Sequence, residues 1–126
     1  IEKEALYPHD RLMVSGIIAH RLALGMRLQL DAANVYVKCG GAYITCSWKE
    51  RMLSTADLKI PSPYNLYLNG GLPPGPISNP GQEAIAAALD PAPTDYLYYL
   101  SAPDGLTVFS RTLAEHAAAK ARYLQH

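Results

Sequence analysis

Apolar side chains near the start of the chain recur at helical spacing. They follow one another at intervals of four, three and four residues: Met13, Ile17, His20 and Leu24. This period predicts an amphipathic helix over residues 11–24. Residues 8–10 are expected to break any earlier helix, and Asp10 to cap the new one. Gly25 suits the position just past its end, where a left-handed backbone is common.

Two polar patterns farther along predict shorter helical segments. Ser54 and Asp57 have the spacing of a capping box in front of a helical turn. Asn79 is predicted to cap a helix that has Pro80 at its first position and ends near residue 89.

The last third of the chain predicts a hairpin followed by a helix. Residues 96–100 are aromatic or aliphatic throughout, and Asp104-Gly105 separates them from a partner strand at residues 106–109. Thr112 and Glu115 form a capping box for a final helix ending near residue 124. These elements predict an α+β fold: one mainly helical domain over residues 1–126 with a small antiparallel sheet.

A proline- and glycine-rich stretch at residues 62–81 separates these elements. It holds five of the ten prolines and four of the nine glycines, which excludes a regular helix or a central strand. Large side chains such as Tyr64 and Leu66 are interleaved with these residues, and a flexible linker has little use for them. The stretch is therefore predicted to be a long ordered loop, either a binding surface or a loop packed over the core.

Composition narrows the class of protein. The chain has 126 residues, 49% hydrophobic residues and a formal net charge of zero, which is typical of one globular domain. Such a balance offers no basic surface for nucleic acid. No apolar run approaches the ~20 residues that span a bilayer.

Cysteine and histidine positions give few signs of a metal site. Cys39 and Cys46 are too far apart for a redox CxxC motif, and they are either a small disulfide hairpin reversed at the intervening glycines or two unrelated thiols. The histidines are scattered along the sequence, so no metal is expected. His20 is predicted to be packed or hydrogen-bonded, and His116 to lie at the surface.

Carboxylates are the better candidates for chemistry. On a helix, Glu2 and Glu4 would flank the face shared by Ile1 and Ala5. One of them would then border a cleft, or both would be solvated, and the residues alone leave this open.

Several motifs in a fixed order resemble one family. They are IEKEA at residues 1–5, RL at 21–22, GMRLQLD at 25–31, SPYN at 62–65, GLPPGPISNPG at 71–81, DYLY at 95–98 and FS at 109–110. This series is similar to the MltG/YceG family of endolytic murein transglycosylases, and the resemblance covers nearly the whole chain.

The resemblance implies a bacterial cell-envelope enzyme without a cofactor. Such an enzyme cleaves the MurNAc-β-1,4-GlcNAc bond of peptidoglycan and leaves 1,6-anhydro-MurNAc ends. The family context implies glycan strands as substrate, proximity to peptidoglycan synthases, and a position at the extracytoplasmic face of the inner membrane. The chain is expected to be the catalytic portion only, without the family's membrane anchor and LysM-like region.

The family motif also implies site residues. Glu2 matches the single catalytic acid/base, and Glu4 is the runner-up. The matched polar positions are expected to line the cleft: Gln29, Asp31, Tyr64, Asn65 and Asn79. From chemistry alone, Tyr64 and Tyr67 are expected to stack on sugar faces, and Asn65 to hydrogen-bond an N-acetyl group.

Some positions depart from the family pattern. The family has other residues where this chain has His20, Ala32-Ala33, Leu66 and Thr107. The alternative hypothesis is therefore a catalytically weakened glycan-binding module of the cell-wall machinery. A pyridoxal-phosphate lyase is disfavoured, because no lysine stands beside a phosphate-binding loop.

Overall fold

The computed structural model describes residues 1, 4, 7–41, 46–47 and 49–124. Within these residues it contains helices and one two-stranded antiparallel sheet, which confirms the α+β class. The chain divides into two compact units. Unit 1 comprises Ile1–Ala23 and Pro80–His126, and unit 2 comprises Leu24–Asn79.

Helix α1 spans Pro8–Leu24 and begins earlier than predicted. The predicted break at residues 8–10 is wrong, because proline is tolerated in the first turn, where its missing N–H would have no helical partner. Asp10 consequently lies in the first turn rather than at the cap. Gly25 has a φ of 71°, which confirms its predicted left-handed role after the helix.

Part of the core of unit 1 lies where α1 meets α3, the helix at Gln82–Leu89. Val14 and Ile17 are buried on α1, and Ala84 and Ala87 are buried on α3. The Ser15 hydroxyl donates to the Ala87 carbonyl at 2.6 Å, which satisfies a polar group inside this contact.

Helix α3 spans Gln82–Leu89, and Gly81 is its N-cap residue. The prediction that Asn79 caps this helix with Pro80 at the first position is therefore wrong by two residues. Gly81 has an extended backbone and offers no side chain to the first turn. Asn79 is exposed and remains free for another role.

A hairpin and a last helix complete unit 1. Strand β1, Tyr98–Ser101, pairs antiparallel with β2, Thr107–Ser110, and Gly105 turns between them with a φ of 86°. Helix α4 spans Leu113–Tyr123, and both reciprocal bonds of the predicted capping box at Thr112 are present.

His116 is less exposed than predicted. Its ring stacks on Tyr98 of β1, with centroids 5.1 Å apart and an interplanar angle of 23°. The surface assignment is wrong because the 116, 119 and 123 positions form the half-buried stripe of α4.

Unit 2 contains helix α2, Asp31–Lys38, and a 3₁₀ turn, Asp57–Lys59. The predicted reciprocal bonds between Ser54 and Asp57 precede this turn. Residues 60–81 have no helix or strand, yet Leu66 within them is completely buried. The proline- and glycine-rich loop therefore packs Leu66 into the interior and leaves Leu68 and Leu72 exposed.

Candidate functional site

The predicted acid/base, Glu2, lies outside the described residues. Its runner-up, Glu4, is described: its Oε2 accepts a hydrogen bond from Tyr99 Oη at 2.8 Å. The Glu4 backbone N–H also closes a turn on the Ile1 carbonyl at 3.0 Å. Glu4 is thus attached to strand β1 within unit 1.

Asn65 is the centre of the SPYN segment in unit 2. Its Nδ2 donates to the carbonyls of Leu58 and Ile60, at 3.0 and 2.9 Å. Its Oδ1 accepts from Asn34 Nδ2 at 3.0 Å and from the Tyr67 N–H at 2.9 Å. Because all four bonds are internal and the residue has 0% relative exposure, a direct bond from Asn65 to a sugar does not fit this environment.

The other polar residues near Asn65, Ser62 and Asn69, form hydrogen bonds to main-chain groups of the same loop. The Asn65 N–H donates to the Ser62 carbonyl, and the Ser62 hydroxyl accepts from the Tyr64 N–H. Asn69 Nδ2 donates to the carbonyls of both Ser62 and Asn65. These side chains replace the missing helix or strand ladder, so the loop keeps one conformation without regular structure.

Asp31 and Tyr67 are brought together by this loop. Tyr67 Oη donates to Asp31 Oδ1 at 2.5 Å, and Arg27 Nη1 donates to the Tyr67 carbonyl at 3.2 Å. Asp31 is exposed at the first position of α2, and Tyr67 is half-buried. This pair therefore presents a carboxylate and a phenol ring at the surface of unit 2.

Gln29 has an unusual backbone. Its φ is 50°, a left-handed conformation that costs a non-glycine residue energy. Its N–H donates to the Leu66 carbonyl at 3.3 Å, and its side chain is exposed. Such strain concentrates at functional positions, which is consistent with the prediction that Gln29 is a site residue.

Tyr64 packs against a residue that the sequence patterns did not single out. The rings of Tyr64 and Tyr36, from α2, lie 5.2 Å apart at an interplanar angle of 41°. Aromatic positions on a short mixed helix gave no periodic signal, so Tyr36 was not identifiable beforehand.

Some of the predicted binding residues are joined to one another by hydrogen bonds, and among the described residues Asn79 is not joined to them. Within unit 2, hydrogen bonds link Asp31 to Tyr67, and Tyr67 to Asn65. In the described part of the chain, no hydrogen bond joins the Asn79 side chain to them.

A second linkage fixes the end of α2. Cys39, the residue that follows Lys38, forms a disulfide with Cys46, so of the two alternatives the disulfide is correct and the pair of unrelated thiols is wrong. Lys38 Nζ donates to Asp57 Oδ2 at 2.9 Å and to the Met52 carbonyl at 2.8 Å. The Ser54 backbone N–H, followed by this ammonium group, lowers the pKa of Asp57 to about 2.

Three of the positions expected to depart from the family pattern are buried or hydrogen-bonded within their own unit. Ala33 and Leu66 are completely buried in unit 2. His20 Nδ1 donates to the Tyr96 carbonyl at 3.2 Å, which confirms the prediction that it is hydrogen-bonded.

The described residues contain neither a metal-binding cluster nor a membrane-spanning helix. Among them, no group of three or more His, Cys, Asp or Glu side chains has an arrangement that could hold a metal ion. No helix among them is both long and apolar enough to cross a membrane.

The helices, the two-stranded sheet and the anchored proline-rich loop define the chain as a small α+β domain. The sequence profile of the YceG-like family matches residues 1–122. The chain belongs to the YceG-like family.

Named relatives agree with this assignment. The endolytic murein transglycosylase of Bacillus subtilis (strain 168) is 44% identical over 124 residues, covering 98% of this chain and 32% of the relative. The endolytic murein transglycosylase of Streptococcus pneumoniae (strain D39) is 32% identical over 128 residues, covering 95% and 23%. The chain thus spans a third or less of the length of these relatives.

A solved structure has the same fold. The 2.6 Å crystal structure of a YceG-like protein from Listeria monocytogenes superposes with a TM-score of 0.81 at 44% identity. The match covers 94% of this chain and 36% of that one.

Proposed function

We propose that this chain is the catalytic part of a peptidoglycan lytic transglycosylase, with Glu2 as its single general acid/base. The observation that carries the proposal is the similarity, over 98% of this chain, to a relative named endolytic murein transglycosylase. Glu2 stands in the IEKEA segment that matches the family motif.

The reaction needs one carboxyl group because the sugar supplies its own nucleophile. Glu2 donates a proton to the glycosidic oxygen as the bond from MurNAc C1 to that oxygen breaks. The resulting carboxylate takes the proton from the C6 hydroxyl of the same MurNAc, and O6 bonds to C1. The product is a 1,6-anhydro ring, and no water is consumed. An attack within one sugar has the high effective molarity of an intramolecular reaction.

The contacts of Glu4 favour Glu2 over it as the proton donor. Glu4 already accepts a hydrogen bond from Tyr99, and a carboxylate engaged in this way within the fold is suited to anchoring. We assign Glu4 the role of tying the segment that carries Glu2 to strand β1.

Unit 2 supplies the proposed glycan-binding residues. Asp31, Tyr67 and Gln29 offer a carboxylate, an aromatic ring and an amide at or near the surface. Tyr64 stacks on a sugar, and Asn79 contributes an exposed amide. Asn65 acts through Tyr67 and the loop backbone and is a positioning residue rather than a direct ligand.

The disulfide supports a location outside the cytoplasm. Structural disulfides persist in oxidising compartments and are rare in the cytosol, and Cys39 pairs with Cys46 here. We infer that the chain works on the cell wall at the extracytoplasmic face of the membrane, close to its peptidoglycan substrate and to the synthases that make it.

The test is to incubate the protein with purified sacculi and with uncrosslinked glycan strands, and to measure 1,6-anhydro-MurNAc ends by mass spectrometry. Wild type and Glu4→Gln should produce these ends, although Glu4→Gln is expected to be slower. Glu2→Gln should abolish them while retaining strand binding.

Other results separate the alternatives. Equal production of anhydro ends by Glu2→Gln would remove Glu2 from the acid/base role, and abolition by Glu4→Gln alone would move the role to Glu4. Wild type that retains strands without cutting them would support the glycan-binding module instead.

A further inference from the structure

Two tyrosines from different segments of unit 2 form one aromatic surface. Tyr36 comes from α2 and Tyr64 from the SPYN segment, and both are half-buried. Their ring centroids are 5.2 Å apart at an angle of 41°. The tilt is within the range of favourable aromatic pairs, so each ring supports the other while keeping part of its surface open.

The hydroxyls of these two tyrosines are not used internally. Neither Tyr36 Oη nor Tyr64 Oη has a hydrogen-bond partner among the residues that the structure describes. In contrast, Tyr67 Oη donates to Asp31 and Tyr99 Oη donates to Glu4. A tyrosine whose ring is partly exposed and whose hydroxyl makes no internal hydrogen bond combines an apolar surface with a polar end. This combination is found at recognition sites.

Glycines border both rings. A side chain carbon added at Gly75 would lie 3.1 Å from Tyr64 Oη, closer than ordinary packing allows. One added at Gly41 would touch the Tyr36 ring at 3.6 Å, and Gly41 has a φ of +81°. The absence of side chains at Gly75 and Gly41 lets the backbone pack closely against both tyrosines, which holds the two rings in place.

We propose that Tyr36 and Tyr64 together form a sugar-binding subsite that takes one N-acetylhexosamine of the glycan strand. The C–H face of the pyranose stacks on the open ring surface, and the two hydroxyls bond its hydroxyl or N-acetyl groups. This inference rests on the proposed function and adds to it a residue, Tyr36, that specifies the substrate.

Binding is tested with a soluble tetramer of β-1,4-linked N-acetylglucosamine, using protein whose tyrosine rings carry ¹³C. Ring signals of Tyr36 and Tyr64 should shift on titration, and those of Tyr123 in α4 should not. Tyr36→Leu is expected to weaken binding about tenfold, because it removes a stacking ring. Tyr36→Phe keeps the packing and should weaken it about threefold.

Tyr123→Leu is the matched control, a half-buried tyrosine in unit 1, and its affinity should equal that of wild type. A thermal melt of each variant identifies losses caused by unfolding, and Tyr36→Phe keeps the test valid if Tyr36→Leu does not fold. Coupling between Tyr36 and Tyr64 in a double-mutant cycle is expected, because both contact one sugar.

The outcomes distinguish this inference from the proposed function. Wild type that cuts glycan while the tetramer shifts neither ring, or while both Tyr36 variants bind like wild type, overturns the subsite alone. Wild type that neither binds the tetramer nor produces anhydro ends overturns both.

Discussion

Asn34 and Asn65, 31 positions apart in sequence, are joined by a buried hydrogen bond from Asn34 Nδ2 to Asn65 Oδ1 at 3.0 Å. Both residues are almost completely buried. The bond connects α2 to the proline-rich loop, which has no strand or helix of its own at this point. Breaking this buried amide bond would leave further polar groups without partners, in addition to Asn34 Oδ1, which is buried and has no partner among the described residues.

Replacing Asn65 with aspartate should strongly destabilise the protein. The side chain keeps its shape, but a carboxylate oxygen would face the carbonyls of Leu58 and Ile60, which now accept from Nδ2. We expect a loss of about 2–4 kcal/mol in the free energy of unfolding, measured by urea denaturation.

Asn79→Asp is the matched control for this change. It makes the same isosteric substitution at an exposed position of the same unit and should change stability by less than about 0.5 kcal/mol. Equal stabilities for the two variants would show that the Asn65 network contributes nothing.

Gly16→Ala should disrupt unit 1. A Cβ at this position of α1 would lie 2.0 Å from the Ala92 carbonyl oxygen, which belongs to the backbone and cannot rotate away. We expect the variant to lose about 2–3 kcal/mol of stability by overpacking. Gly70→Ala is the control, since nothing lies within 4 Å of the added carbon. A stable Gly16→Ala protein would contradict this close approach of backbones.

His116 should make unit 1 sensitive to mild acid. Burial, followed by repulsion from Lys120 and Arg21, lowers the pKa of His116. The unfolded chain therefore binds a proton more readily, so stability is full above about pH 6.5 and falls as the pH drops below that value. A histidine NMR titration should place this pKa below 6.5. In His116→Phe, which keeps the stack on Tyr98, the stability change in this window should be smaller; an unchanged slope would assign it to other groups.

Local patterns of sequence predicted the parts of the fold whose physics is local. The capping box at Thr112, the left-handed Gly25 and the hairpin turn at Gly105 depend on near neighbours, and all three are present. The predicted start of α3 was wrong because the local capping rule favours Asn79 and Pro80, whereas the helix begins after Gly81, which offers no side-chain cap.

The interior of unit 2 was not predictable in the same way. The pairing of Asn34 with Asn65 and that of Tyr36 with Tyr64 join residues far apart in the chain. No periodic pattern marks such partners, and the sequence does not distinguish a buried asparagine from an exposed one. The family motif identified Asn65 as important, but only its burial indicates a positioning role.

The disulfide should contribute measurably to unit 2. Closing a loop with a sequence separation of 7 removes chain entropy from the unfolded state worth about 2–3 kcal/mol. Cys39→Ser with Cys46→Ser should therefore lower the urea midpoint relative to the oxidised wild type. Dithiothreitol should lower the wild-type midpoint to a similar value and leave the variant unchanged. A variant as stable as oxidised wild type would show that the loop is ordered without the bond.

The Lys38–Asp57 ion pair should give unit 2 a separate response to strong acid. The pKa of Asp57 is lowered to about 2 by the Ser54 N–H and then by Lys38. Because the folded value lies below the ordinary 3.8, its contribution is present above about pH 4 and is lost as the pH falls toward 2. A carboxyl ¹³C titration should show Asp57 still ionised at pH 3. Asp57→Asn should flatten the fall of stability between pH 4 and 2, whereas the exposed control Asp95→Asn should retain it. An Asp57 that is already protonated at pH 3 would contradict the capping and ion-pair contacts together.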